Sequence, residues 1–166
     1  LTDRPHVCYG FFEKTQGISG RLVLRVFVLG RARALPPGTI LHCGERKLEV
    51  LASREKDAVS VTVEIDGVRN HEDALLLKGE EIFAAPGQVA APGFPIPVYL
   101  FQGFEVVCRE RRFPVVEIQW NPVNPQALLE GPRGLFPAPL NLLAGGTVNL
   151  EAGEIMVELP EGLEDL

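Results

Sequence analysis

Gly17-Ile18-Ser19-Gly20-Arg21-Leu22-Val23-Leu24-Arg25-Val26-Phe27-Val28-Leu29 joins a glycine-bounded turn to a run of alternating residues. On a strand, successive side chains point to opposite faces. Leu22, Leu24, Val26 and Val28 therefore share one face, and Arg21, Val23, Arg25 and Phe27 the other. The period is that of a sheet, and the preceding apolar run, 7–12, predicts the strand with which this one forms a hairpin. Working outward, 39–42, 47–54, 58–65 and 80–84 predict further strands, separated by turns at Cys43-Gly44-Glu45-Arg46 and Glu55-Lys56-Asp57. Asn70 is placed to cap one short helix running to Lys78, with Glu72 and Asp73 in its first turn and Gly79 just beyond its end. Residues 1–85 thus predict a small β-barrel carrying one short helix.

Pro86 to Pro97 contains four prolines, two glycines and no charged residue. Proline fixes φ and lacks the donor a strand needs, so 86–97 predicts a semi-rigid linker and a domain boundary. Beyond it, 98–101, 104–109, 113–119, 127–130, 135–137, 146–150 and 154–159 are short strand candidates separated by Gly, Pro or Asn turns. The expected fold class is all-β: two small barrels, 1–85 and 98–166, joined by a Pro-rich linker, with an acidic tail closing the second.

The composition agrees. Glycine and proline number 17 and 14 in 166 residues, an excess that favours many short strands joined by turns. No apolar run approaches the length of a membrane-spanning helix, and Leu1-Thr2-Asp3-Arg4-Pro5-His6 lacks the plan of a signal peptide, so a cytoplasmic location without membrane contact is expected. Charge is unevenly distributed. Residues 1–60 hold ten Lys/Arg against six Asp/Glu, whereas 151–166 hold six acidic residues and no basic one. With a net charge of −6, the whole chain lacks the footprint of a protein that binds nucleic acid by charge alone. A local basic face in the first third and a basic protein partner for the acidic remainder are the two openings left.

Arg21 and Arg25 lie on one strand face about 7 Å apart. They are either ordinary solvated charges or contacts for phosphate, which suits guanidinium forks. Cys8, Cys43 and Cys108 are odd in number and unpaired in spacing, so no disulfide is indicated. His6, His42 and His71 form no metal-binding group on one helix. His42 and Cys43 are adjacent and so point to opposite faces of a strand, which prevents a dyad between them. No phosphate loop, metal site or cofactor motif is present, and a non-enzymatic protein without cofactor is expected.

Gly17 to Leu24, then Ile65-Asp66-Gly67-Val68-Arg69-Asn70-His71-Glu72-Asp73-Ala74-Leu75-Leu76-Leu77-Lys78-Gly79-Glu80-Glu81-Ile82-Phe83, resemble the two hallmarks of the bacterial RimM ribosome maturation factors. Gly153-Glu154-Ile155-Met156-Val157-Glu158-Leu159-Pro160-Glu161-Gly162-Leu163 is similar to that family's closing signature. The resemblance implies a RimM-type barrel followed by a PRC-type barrel. It further implies a chaperone-like factor that assists assembly of the head of the small ribosomal subunit and 16S rRNA processing, binding a basic head protein of the S-nineteen type and rRNA. In the family a Tyr-Tyr pair near the start of the second barrel is implicated in subunit binding. This chain has Ile96 and Pro97 there, and offers Tyr99 with Phe101 two residues on. On a strand, Tyr99 and Phe101 share one face, either as interface anchors or as core filling. The competing expectation is a non-ribosomal interaction adaptor built on a PRC barrel.

Overall fold

The computed structural model describes residues 6–89, 91 and 93–163. It divides into two compact units, Leu1–Pro97 and Val98–Leu166. The first contains β1 (Val7–Gln16), β2 (Arg21–Val26), β3 (Ile40–Cys43), β4 (Arg46–Glu55), β5 (Ser60–Ile65), α1 (His71–Leu75) and β6 (Glu81–Ala84). Its strands close a barrel in the order β1-β2-β5-β4-β3-β6, with every pairing antiparallel. Tyr9, Phe12, Leu22, Leu24, Leu41, Val50, Val61, Val63 and Ile82 are fully buried within this unit. On β2 and β5 these positions alternate as a barrel interior requires, whereas Tyr9 and Phe12 stand three apart on β1, whose pairing with β6 shifts register between Cys8 and Gly10. Val23 is fully buried as well, although it lies on the opposite face from Leu22 and Leu24. The short α1 packs against β1 and β2, and an alternating pattern does not foresee that additional cover.

α1 begins where the sequence places it. Asn70 Oδ1 accepts the Asp73 N–H at 2.9 Å, and Asp73 Oδ2 accepts the Arg69 N–H at 3.2 Å. The helix proper stops at Leu75, short of the expected Lys78, and turns carry the chain to Gly79, whose φ of 84° suits glycine. The Gly79 N–H then donates to the Phe12 carbonyl at 2.7 Å, which feeds β6 back against β1.

The segment expected to be a linker is bound to the barrel. Residues 86–97 open with α2 (Pro86–Val89), whose Pro86 and Val89 are buried. Gln88 Oε1 accepts the Ile40 N–H at 3.1 Å, satisfying a donor at the sparsely paired β3–β6 seam. Further on, Phe94 is buried, the Leu29 N–H donates to the Ile96 carbonyl at 2.9 Å, and Val28 bridges Pro97. Proline restricts φ but does not prevent burial. Val89 and Phe94 supply apolar surface that a solvated spacer would leave in water.

The second unit opens with a 3₁₀ turn at Val98–Phe101. It continues through β7 (Glu105–Cys108), β8 (Arg111–Gln119), β9 (Gln126–Gly131), β10 (Gly134–Pro139), α3 (Leu140–Ala144), β11 (Thr147–Asn149) and β12 (Glu154–Met156). The 3₁₀ turn corrects the strand expected at 98–101. Val98, Phe101 and Phe104 are buried at steps of three, and the Phe104 N–H donates to the Phe101 carbonyl at 3.0 Å. The expected second barrel is also revised. Among the described residues the strands form a six-stranded sheet in the order β10-β9-β8-β7-β12-β11, with no pairing of β10 to β11. Within it β12 pairs with β7 in parallel, and the other described pairings are antiparallel. Phe113 and Phe136 meet edge to face at 5.4 Å in its core, and Phe101 meets Phe104 likewise at 5.5 Å. The β10 edge carries Pro137 and Pro139, which deprive it of donors for another strand. Among the described residues, no helix is long and apolar enough to cross a membrane.

Candidate functional site

The barrel brings two of the quoted motifs together. Gly20, which ends the β1–β2 hairpin, has φ 90°, and a β-carbon there would lie 2.7 Å from the Val68 carbonyl oxygen and 2.9 Å from the Asn70 nitrogen. The hairpin therefore lies directly against the segment that caps α1, and only glycine fits the contact.

Beside this clasp, Arg21 and Arg25 occupy the face of β2 that the alternation predicts, but neither is an isolated cation. Arg21 Nε donates to Glu64 Oε1 at 3.0 Å, and Arg25 lies 3.7 Å from Glu13. The structure separates their surroundings. Arg21 lines a cleft of about 260 Å³ together with Gln16, Ala52, Ser53, Arg54, Thr62 and Glu64, and Arg25 does not line it. Arg54 enters because β4 pairs with β5 so that Arg54 faces Thr62, while Thr62 faces Val23 on β2. The sequence reading places a strand over 47–54 but assigns Arg54 no role, because the strand order that sets β4 beside β5 and β2 is not local information. Thr62 Oγ1 donates to Gln16 Oε1 at 3.2 Å, a bond that does not use the amide nitrogen of Gln16, itself a donor group. Ser53 Oγ is taken up structurally, since it accepts the Leu35 N–H and donates to the Leu35 carbonyl. A cleft with two arginines, an amide donor and one carboxylate suits an anion that approaches from solvent.

The second pair of candidate residues is divided by the 3₁₀ turn. Phe101 is 1% exposed and packs on Phe104, so it belongs to the core, whereas Tyr99 is half-buried. They do not share a strand face.

Two of the three cysteines are held as thiols. Burial, reinforced by Glu81, pushes the Cys8 thiol up, and burial with Glu80 does the same to Cys43. Both shifts run against formation of the nucleophilic thiolate. His6 and His42 stack with ring centroids 4.2 Å apart. Burial, with His6 and Lys47 nearby, holds His42 below the usual imidazole value. No group of three or more His, Cys, Asp or Glu among the described residues is arranged to hold a metal ion.

The fold defines a mostly-β protein of two units, the first a closed six-stranded barrel clasped by a glycine-dependent contact between hairpin and helix. No protein-family profile matches the chain, and no curated protein matches it significantly. Among solved structures it is similar to a Pseudomonas aeruginosa protein with the provisional description of 16S ribosomal RNA processing protein RimM. The identity is 18% and the TM-score 0.41, covering 94% of this chain and 98% of that one.

Proposed function

We propose that this chain is a non-enzymatic, cytoplasmic ribosome maturation factor that assists assembly of the small-subunit head and processing of 16S rRNA. The observation that carries the reading is the clasp at Gly20. Two sequence stretches that resemble RimM hallmarks, far apart in the chain, meet where a side chain would not fit. The division of charge supports two kinds of contact. The Arg21–Arg54 cleft, on the unit whose first 60 residues are net basic, suits the rRNA backbone, since phosphate contacts position a protein without reading sequence. Residues 98–166 carry four basic and ten acidic residues and suit a basic head protein of the S-nineteen type. The 98–166 unit takes the place of a PRC-type barrel in this reading, and Tyr99 stands nearest to the subunit-binding aromatic pair.

Co-sedimentation with small subunits tests it. The full chain is expected to travel with immature small subunits, to be displaced by rising salt, and to leave mature ribosomes. Equal recovery with mature and immature particles, or none at low salt, overturns the proposal in favour of an adaptor acting outside ribosome assembly.

A further inference from the structure

The loop between β8 and β9 borders an open surface hollow of about 330 Å³, lined by Gln119, Trp120, Asn121, Asn124 and Gln126. The lining residues carry four carboxamides and one indole, and none of those described is charged. Gln119 and Gln126 face each other across the last rung of the β8–β9 pair, so their side chains rise on the same side. The loop above them is held. Asn121 Oδ1 accepts the Val123 and Asn124 N–H groups at 2.8 and 3.1 Å, and the Pro125 carbonyl accepts the Leu140 N–H at 2.9 Å, tying the loop to α3. Pro122 and Pro125 further restrict the backbone, so little ordering remains for a ligand to impose.

We propose that this pocket receives an arginine side chain of a basic partner protein. A guanidinium group is planar and presents five donors and no acceptor. It stacks on an indole face, and carboxamide oxygens such as those of Gln119, Asn124 and Gln126 can accept its protons. The charge of the unit selects this occupant. Residues 98–166 hold four basic and ten acidic residues, a field that draws in a cation and repels phosphate. A nucleobase could use the same indole and carboxamides, but it would bring its phosphates to a pocket with no basic lining. The inference rests on the reading of a basic ribosomal partner and names how such a partner is gripped.

Trp120 is the chain's one tryptophan, so intrinsic emission reports this pocket alone. The full-length protein is titrated with an acetylated, amidated Arg-Gly repeat peptide and with a Lys-Gly repeat of equal length and charge. The arginine peptide is expected to change Trp120 emission saturably and to bind about two- to fivefold more tightly than the lysine peptide. By anisotropy of labelled peptides, Trp120→Ala removes that preference and Trp120→Phe keeps part of it. Equal binding of the two peptides overturns the proposal, as does unchanged emission while the labelled peptide binds, or a saturable response to oligouridylate instead. Co-sedimentation of the wild-type chain with immature subunits is run in parallel. If co-sedimentation succeeds and the peptide titration is flat, the pocket assignment alone fails. If the peptide preference holds without co-sedimentation, the ribosomal reading alone fails.

Discussion

The ring of Tyr9, in the barrel's first strand, lies 5.3 Å from the ring of Phe94 at an angle of 51°, which ties the proline-rich stretch to the core of the first unit. Both residues are buried. Phe94→Ala should therefore cost about 3 to 5 kcal/mol of stability, as deletion of a large buried aromatic does. Chemical denaturation would show it as a lowered midpoint, and limited proteolysis should begin to cut within 86–97 only in the variant. A wild-type chain cleaved there first, with an unchanged midpoint for Phe94→Ala, would return the stretch to the status of a spacer.

Tyr9 carries a second consequence, because its buried hydroxyl has no hydrogen-bond partner among the described residues. Burial raises its pKa, since the phenolate would have to form out of contact with water. A raised folded value means that this contribution is fully present below the unfolded value of about 10 and is lost progressively as pH rises above it. Tyr9→Phe removes the unpaired hydroxyl and should match or exceed wild-type stability at pH 7, by about 1 kcal/mol. The gap should widen above about pH 10. Parallel denaturation curves at neutral and alkaline pH check both signs, and a variant less stable at pH 7 would show that the hydroxyl has a partner.

The clasp makes the sharpest structural prediction. Gly20→Ala places a methyl group against the Val68 carbonyl in a backbone conformation that alanine rarely adopts. The variant should lose at least about 1 to 2 kcal/mol. Gly17→Ala, also at positive φ but with open space around its β-carbon, should lose less. Thermal melts of the two variants side by side separate the steric part of the cost from the backbone part, and equal losses would mean that the close approach carries no weight.

The legibility of this chain in its sequence follows the range of the information each feature needs. Alternation placed β2 and the Arg21–Arg25 face, and a single side-chain cap placed the start of α1, because both depend on residues within a few positions. The 3₁₀ turn at Val98–Phe101 is not legible, because a four-residue apolar run fits either period. Only the burial of Phe104, three residues beyond Phe101, decides between them. Arg54 is illegible for a different reason. It reaches the cleft through the order β2-β5-β4, a pairing of strands that no local pattern encodes. The packing of 86–97 was hidden by its prolines, which mark the absence of strand pairing and say nothing about where Val89 and Phe94 are buried.

The cleft distinguishes the arginines of the first barrel. Arg21→Ala and Arg54→Ala should each weaken binding to immature small subunits and lower the steepness of the salt dependence by about one unit per lost phosphate contact. Arg25→Ala, paired with Glu13 outside the cleft, should change neither. Stability should be nearly unaffected, because the Arg21–Glu64 pair is about half exposed and such pairs contribute little. Binding measured across a salt series for the three variants is the test. A uniform effect, with Arg25→Ala equal to the others, would replace the cleft with a diffuse basic face.

Tyr99 and Phe101 now carry opposite expectations, because the turn that holds them buries one and leaves the other half-covered. Phe101→Ala should cost about 3 to 5 kcal/mol by opening a cavity beside Phe104. Affinity for the subunit, measured well below the lowered melting temperature, should be unchanged. Tyr99→Ala removes less buried surface and should lower the melting temperature less, while weakening subunit binding if this aromatic is an anchor. Melting curves and co-sedimentation of both variants decide the matter. Should Tyr99→Ala melt as early as Phe101→Ala and bind like wild type, the start of the second unit is packing alone, and the anchor must be sought on another surface.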